Sequence, residues 1–174
     1  VAYSVHTETI QIKGDSSRDL VVRETVWGPI LEDHADEGVE LAVRWLAHAP
    51  NAINFKQLEL ESVQSVQQAL KTANRLGMPP QNFVCGDADG GIGWTIAGQI
   101  PVRTSYDSSV PADWSKRGGW VGWLNPGDYP RVVNPPSGRI WTANARVVDG
   151  EDLAKIGDGD YDLGARAKQI RERL

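Results

Sequence analysis

Hydrophobic and polar positions alternate from Tyr3 to Ile12, with Val5, Thr7 and Thr9 set against His6, Glu8 and Ile10. A period of two is the mark of a strand with unlike faces. Lys13-Gly14-Asp15-Ser16-Ser17 supplies turn chemistry, and Asp19 to Val26 returns with Leu20 and Val22 able to face a core, so the pattern predicts a hairpin. Gly28 and Pro29 break the strand, and Ile30-Leu31 restarts an extended segment. The acidic run from Glu32 to Gly38 reads as a solvated turn before a third apolar strand, predicted over Val39–Ala47. Between Phe55 and Leu76 the period changes. Val63, Val66, Leu70 and Ala73 recur at steps of three and four with Gln and Lys between them, which predicts an amphipathic helix. Ser62 or an earlier residue is the expected cap, and Gly77, Pro79 and Pro80 end the helix. Asn82–Cys85 and Ile92–Ala97 flank the turn residues Asp87 to Gly91 and predict a second hairpin. From Pro101 to Gly138 the chain is rich in Pro, Gly, Trp and Asp. An irregular stretch of that length in a globular domain usually covers or lines a site. A short strand is expected at Ile140–Ala145. A closing helix is expected over Asp160–Leu174, where Leu163, Ala167, Ile170 and Leu174 fall on one stripe. The fold class that emerges is α+β.

Composition narrows the function classes. Of 174 residues, 40% are hydrophobic and 24% charged, which suits a folded globular chain rather than a disordered one. A net charge of −5 argues against nucleic acid and against an anionic membrane surface as partners. No apolar run approaches the ~20 residues that a membrane-spanning helix needs. A single cysteine excludes an intrachain disulfide and a cysteine-based zinc site. Seven tryptophans are the one compositional oddity.

The polar motifs mostly read as structure. Asp87-Ala88-Asp89-Gly90-Gly91 resembles the opening of a calcium loop, but the twelfth position, where a bidentate Glu is required, is Gly98. A tight turn is the better reading. His6, His34 and His48 share no ligand spacing, and Cys85 sits in an apolar strand as a small hydrophobe. Trp114, Trp120 and Trp123, with Tyr106 and Tyr129, form either a ligand-stacking platform or the anchors of a long loop. These residues alone reach no further than an α+β piece.

Two longer runs carry more. Asn82-Phe83-Val84-Cys85-Gly86-Asp87-Ala88-Asp89-Gly90-Gly91-Ile92-Gly93-Trp94, continuing through Gly98-Gln99-Ile100-Pro101-Val102-Arg103, resembles a run found in the penicillin acylase (penicillin amidase) family of N-terminal nucleophile hydrolases. Asn134-Pro135-Pro136-Ser137-Gly138-Arg139-Ile140-Trp141-Thr142-Ala143-Asn144 is similar to a second. Thr25-Val26-Trp27-Gly28-Pro29-Ile30 and Gly164-Ala165-Arg166-Ala167-Lys168-Gln169-Ile170 resemble two shorter ones, with Trp27 where His is common. The runs keep the family's order and span essentially the whole chain.

The resemblance implies part of a four-layer α-β-β-α sandwich, with the Trp-, Pro- and Gly-rich loop region added to it. It also implies an amidohydrolase in which the N-terminal Ser of a β-chain attacks an acyl amide, with its own α-amino group as base. By motif position Asn144 is the side-chain donor of the oxyanion hole, and Arg166 supports the surroundings of the nucleophile; these are the catalytic residues expected here. Gln81, where the family often places an apolar acyl-pocket side chain, and Phe83 are the expected substrate-binding residues. Ala145 stands where the family has a second Asn, and Val1 has no nucleophile. Residues 1–174 are therefore expected to be one segment from the interior of a β-chain, inactive when isolated. Its partners would be the rest of that β-chain, an α-chain and a small N-acyl amide substrate. No cofactor is expected. The family's calcium ion takes most of its ligands from outside the segment, and near Lys155 only Asp152 and Asp158 are at hand. Periplasmic or extracellular placement follows from the family. Two other classes compete: a non-catalytic ligand-binding module using the Trp/Tyr loop, and a structural fragment whose apolar face awaits a partner chain.

Overall fold

In the computed structural model, which describes residues 2–31, 38–104, 110–115, 118–157 and 161–174, the opening alternation forms a long hairpin. Strand β1 (Tyr3–Ile10) pairs antiparallel with β2 (Arg18–Thr25), from Tyr3 opposite Thr25 to Ile10 opposite Arg18. Strand β3 (Gly28–Leu31) pairs with β2, and β4 (Leu41–Ala42) completes a sheet of order β1-β2-β3-β4. This sheet lies in the first of two compact units, Val1–Ala49 and Pro50–Leu174. The strand expected over Val39–Ala47 shrinks to two residues, because the chain turns into a 3-10 helix at Leu46–His48 that buries Leu46. Gly28 has φ 134°, and a Cβ there would lie 2.0 Å from the Val43 carbonyl oxygen, so no other residue fits this crossing. The acidic turn at residues 32–37, with His34, lies outside the described residues.

In the second unit the predicted amphipathic helix is real but shorter. Residues Lys56–Ser62 form a 3-10 helix, Val63 is extended, and α1 spans Val66–Ala73. Its cap is Ser65 rather than Ser62: the Ser65 hydroxyl oxygen accepts from the Gln68 N–H at 3.3 Å, while Ser62 Oγ donates to the Glu59 carbonyl. Strand β5 (Gln81–Gly86) pairs antiparallel with β6 (Ile92–Ala97), as expected, and β9 (Arg131–Val133) lies on the other side of β6. Between them, β7 (Pro101–Arg103) and β8 (Trp120–Trp123) form a two-stranded ribbon, so the long Trp-rich stretch is partly regular.

Alternation along β6 divides two clusters. Gly93, Thr95 and Ala97 face α1, where a Cβ on Gly93 would come within 2.5 Å of Val66 Cγ1. Ala73, Leu76 and Ala97 are buried there, with Leu60, Met78 and Phe83 packed against them. On the opposite face Trp94 and Ile96 join Ile100 and Tyr129, covered by Leu124, Val132, Ile140, Val147, Val148 and Ile156. A buried polar seam links α1 to β6 and β9. The Asn74 amide donates to Thr95 Oγ1 and the Ile96 carbonyl, both at 2.9 Å, and its oxygen accepts from Arg131 at 2.7 Å.

Two further helices end the chain: α2 (Gly150–Ile156), which no apolar period announces, and α3 (Ala165–Arg173), shorter than the expected span. Of the predicted stripe on α3 only Ala167 is buried. The strand expected at Ile140–Ala145 is absent because Ala143 and Asn144 adopt left-handed backbone conformations, φ 78° and 60°, which no strand accommodates. No helix among the described residues is long and apolar enough to cross a membrane.

Candidate functional site

The two expected catalytic residues, 22 positions apart in the chain, meet in the fold: Arg166 Nη2 donates to Asn144 Oδ1 at 2.7 Å. Sequence order alone does not bring them together. Asn144 ends a loop that runs from the edge of the Trp94 cluster, and buried Ala145 anchors the chain immediately after it. The left-handed turn at Ala143-Asn144 points the loop at the entry to α3. There the Asp162 backbone N–H donates to the Asn144 carbonyl at 2.8 Å. Asn tolerates this backbone region better than most residues. Ala gains nothing from it, so the strain at Ala143 is held by what surrounds it.

Arg166 lies in the first turn of α3, where the helix dipole disfavours a cation. Asp162 offsets this: its Oδ2 accepts from Arg166 Nε at 3.2 Å and Nη2 at 3.1 Å, and its Oδ1 accepts from the Leu163 N–H at 2.8 Å. The guanidinium has donors only. The Asn144 amide must therefore turn its oxygen toward Arg166, which leaves the Nδ2 hydrogens facing away, free to donate. Asn144 and Arg166 are both exposed in this chain, so the donor end is open to an incoming group. Asp162 was not singled out by the sequence reading. The Asp-x-x-x-Arg spacing is the signal that points to it, although Asp162 lies in the chain just before α3 rather than on the helix.

Gln81 and Phe83 occupy a different place. They share one face of β5, Gln81 exposed at the strand's start and Phe83 half-buried against the cluster beneath α1. Among the described residues no hydrogen bond joins either side chain to the Asn144–Arg166 pair.

The other polar motifs are structural. Asp87 Oδ1 accepts from the Gly91 N–H at 2.8 Å and Oδ2 from the Val66 N–H at 3.1 Å, tying the hairpin turn to the start of α1. These two N–H groups, Val66 first, hold its carboxyl below the usual carboxylate range. Burial, with the Asp87 charge second, pushes the Cys85 thiol up, which disfavours the thiolate form that a nucleophile needs. His6 is exposed and contacts Ser4 and Glu24, and His48 stands edge-on to Trp45. Asp152 is engaged by Lys155 Nζ at 2.8 Å, and Asp158 lies outside the described residues. No group of three or more His, Cys, Asp or Glu among the described residues is placed to hold a metal ion. Trp120 and Trp123 stand 6.0 Å apart with planes tilted by 59°. Trp114 packs beside Gly119. Tyr129 is a core residue whose hydroxyl donates to the Gly98 carbonyl and accepts from the Ile100 N–H. Tyr106 lies outside the described residues.

The chain as a whole is similar to several known proteins. The family model described as penicillin amidase matches residues 1–174. Penicillin acylase 2 proenzyme of Pseudomonas sp. (strain SE83) is 31% identical over 169 residues, covering 96% of this chain and 22% of the relative. Acyl-homoserine lactone acylase QuiP of Pseudomonas fluorescens is 29% identical over 150 residues, covering 83% of this chain and 18% of the relative. The chain thus spans about a fifth of the length of these curated relatives. Among solved structures, a thermostable penicillin G acylase from Alcaligenes faecalis matches with a TM-score of 0.77 at 21% identity, over 98% of this chain and 31% of that one. The α+β fold expected from the sequence is that of this N-terminal nucleophile hydrolase.

Proposed function

Because the chain belongs to the penicillin amidase family of N-terminal nucleophile hydrolases, we propose that it is part of an enzyme that hydrolyses acyl amides. Within that enzyme Asn144 is the side-chain donor to the oxyanion. The nucleophilic Ser, its α-amino base and the backbone donor come from protein outside these residues. Ser Oγ attacks the amide carbonyl carbon and gives its proton to the amine. The carbonyl oxygen becomes an oxyanion, which collapses and re-forms the carbonyl as the α-ammonium passes its proton to the leaving nitrogen, and the C–N bond breaks to release the amine. Water then repeats the sequence on the acyl-enzyme and releases the acid. Both steps pass through an oxyanion, so a preorganised donor acts twice.

One observation carries this reading: the 2.7 Å bond from Arg166 to Asn144 Oδ1, which fixes the amide with its N–H bonds outward. A donor held in place before the charge forms needs no reorganisation when it does. Gln81 and Phe83 are proposed to wall the acyl pocket. The named relatives include acylases of penicillin and of acyl-homoserine lactones, which makes penicillin G and N-acyl-homoserine lactones the first substrates to assay. In the full-length enzyme Asn144→Ala should lower kcat on the substrate that is turned over by roughly 10²–10³-fold, with folding intact. An unchanged kcat would remove Asn144 from the oxyanion hole.

A further inference from the structure

We propose that Asp162 is a positioning residue for the reaction, acting through the Arg166 guanidinium on the Asn144 carboxamide; this rests on the reading of Asn144 given above. Two contacts join the Asn144 loop to the segment 162–166, and the bonds between Asp162 and Arg166 tie them together. The Asp162 backbone N–H donates to the Asn144 carbonyl, 2.8 Å. The Asp162 carboxylate takes two bonds from Arg166. Arg166 Nη2, shared between them, reaches Asn144 Oδ1. Asp162 therefore grips both the backbone and, through one intermediary, the side chain of the same residue. It is itself fixed, because its other carboxylate oxygen accepts from the Leu163 N–H.

The arrangement is hard to account for as helix stabilisation. Arg166 and Asp162 form an i,i+4 pair, half-exposed to water, of the kind that adds little to stability. The order Asp-then-Arg at the start of a helix puts the cation at the end where the dipole opposes it. What the pair achieves is directional. An Arg side chain has many rotamers, and a carboxylate on Nε and Nη2 selects the one that sends Nη2 toward Asn144. Without it the guanidinium swings into solvent, and the Asn144 amide loses the partner that keeps its oxygen turned inward. An amide free to flip presents an acceptor to the oxyanion for part of the time. The loss then appears in the chemical step rather than in substrate binding.

The test is a kinetic cycle in the full-length enzyme, with penicillin G or an N-acyl-homoserine lactone, whichever it hydrolyses. Asp162→Asn should lower kcat roughly 10-fold with KM nearly unchanged. Asp162→Glu, which keeps a carboxylate within reach of Arg166, should recover most of the rate. In the Asn144→Ala background, Asp162→Asn should cost nothing further, since the group it positions is gone. If Asp162→Asn leaves kcat unchanged, or multiplies with Asn144→Ala, the positioning role is overturned while the oxyanion role of Asn144 stands. If Asn144→Ala itself leaves kcat unchanged, the oxyanion reading falls first and this role with it. Should Asp162→Asn fail to fold, Asp162→Ser carries the same comparison.

Discussion

Asn144 and Asp87 show the two ways a polar side chain is used here. Asn144 is exposed, on strained backbone, with one end of its amide engaged and the other open. Asp87 is engaged on both oxygens by backbone N–H groups that tie its turn to α1. That difference sorts a candidate donor from a structural cap, although both residues sit in motifs that resemble the family. The depressed Asp87 carboxyl makes a prediction about acid. A group whose folded pKa lies below its unfolded value near ~3.9 adds stability while ionised, and that stability is lost as pH falls through the folded value. Asp87→Ala should therefore lower the denaturation midpoint of the protein at pH 7, and the gap from wild type should close as the pH drops below about 4. A gap that is the same at every pH would show that the carboxylate's ionised form is not what ties the turn to α1.

The β5–β6 hairpin and the apolar face of α1 were legible in the sequence because burial imposes a period; that this face packs on β6 was not. Val66, Leu70 and Ala73 are buried at the spacing that predicted them. The boundaries were not legible. Nothing in the apolar period marks the break at Val63, which is set by the Ser65 cap and by the Asp87 bond to Val66 across the fold. The strand expected at Ile140–Ala145 failed for a related reason. Its composition suits a strand, but a tertiary bond from Asp162 and the Arg166 contact hold the backbone left-handed. Asn144 and Arg166 came from the resemblance, since as isolated residues they read as a strand-end amide and a surface charge. Asp162 was accessible only through its spacing from Arg166. The packing of α1 on β6 depends on Gly93, whose missing Cβ lets Val66 and Leu70 approach. Gly93→Val should cost about 1–3 kcal/mol by overpacking, measured by denaturant unfolding. A neutral result would mean that the helix is not seated on the strand as described.

Several apolar side chains stand in water on this chain. Ile53 and Phe55 are each 79% exposed beside the 3-10 helix that precedes α1, Leu163 is fully exposed, and Ile170 and Leu174 of the predicted α3 stripe are open as well. Faces of this kind usually belong to interfaces. The chain spans about a fifth of its curated relatives, and a reaction centre assembled from several segments of a larger protein accounts for both facts. In that account this segment supplies the oxyanion's side-chain donor and the Arg–Asp pair that aims it, while the reacting oxygen belongs to another segment. The most direct measurement is a crystal structure of the full-length enzyme with a tetrahedral boronate or phosphonate acyl analogue on the nucleophile. The account predicts Asn144 Nδ2 at about 2.7–3.1 Å from the oxyanion mimic, with Oδ1 still on Arg166. An Asn144 amide turned away from that oxygen, or separated from it by another side chain, would contradict it.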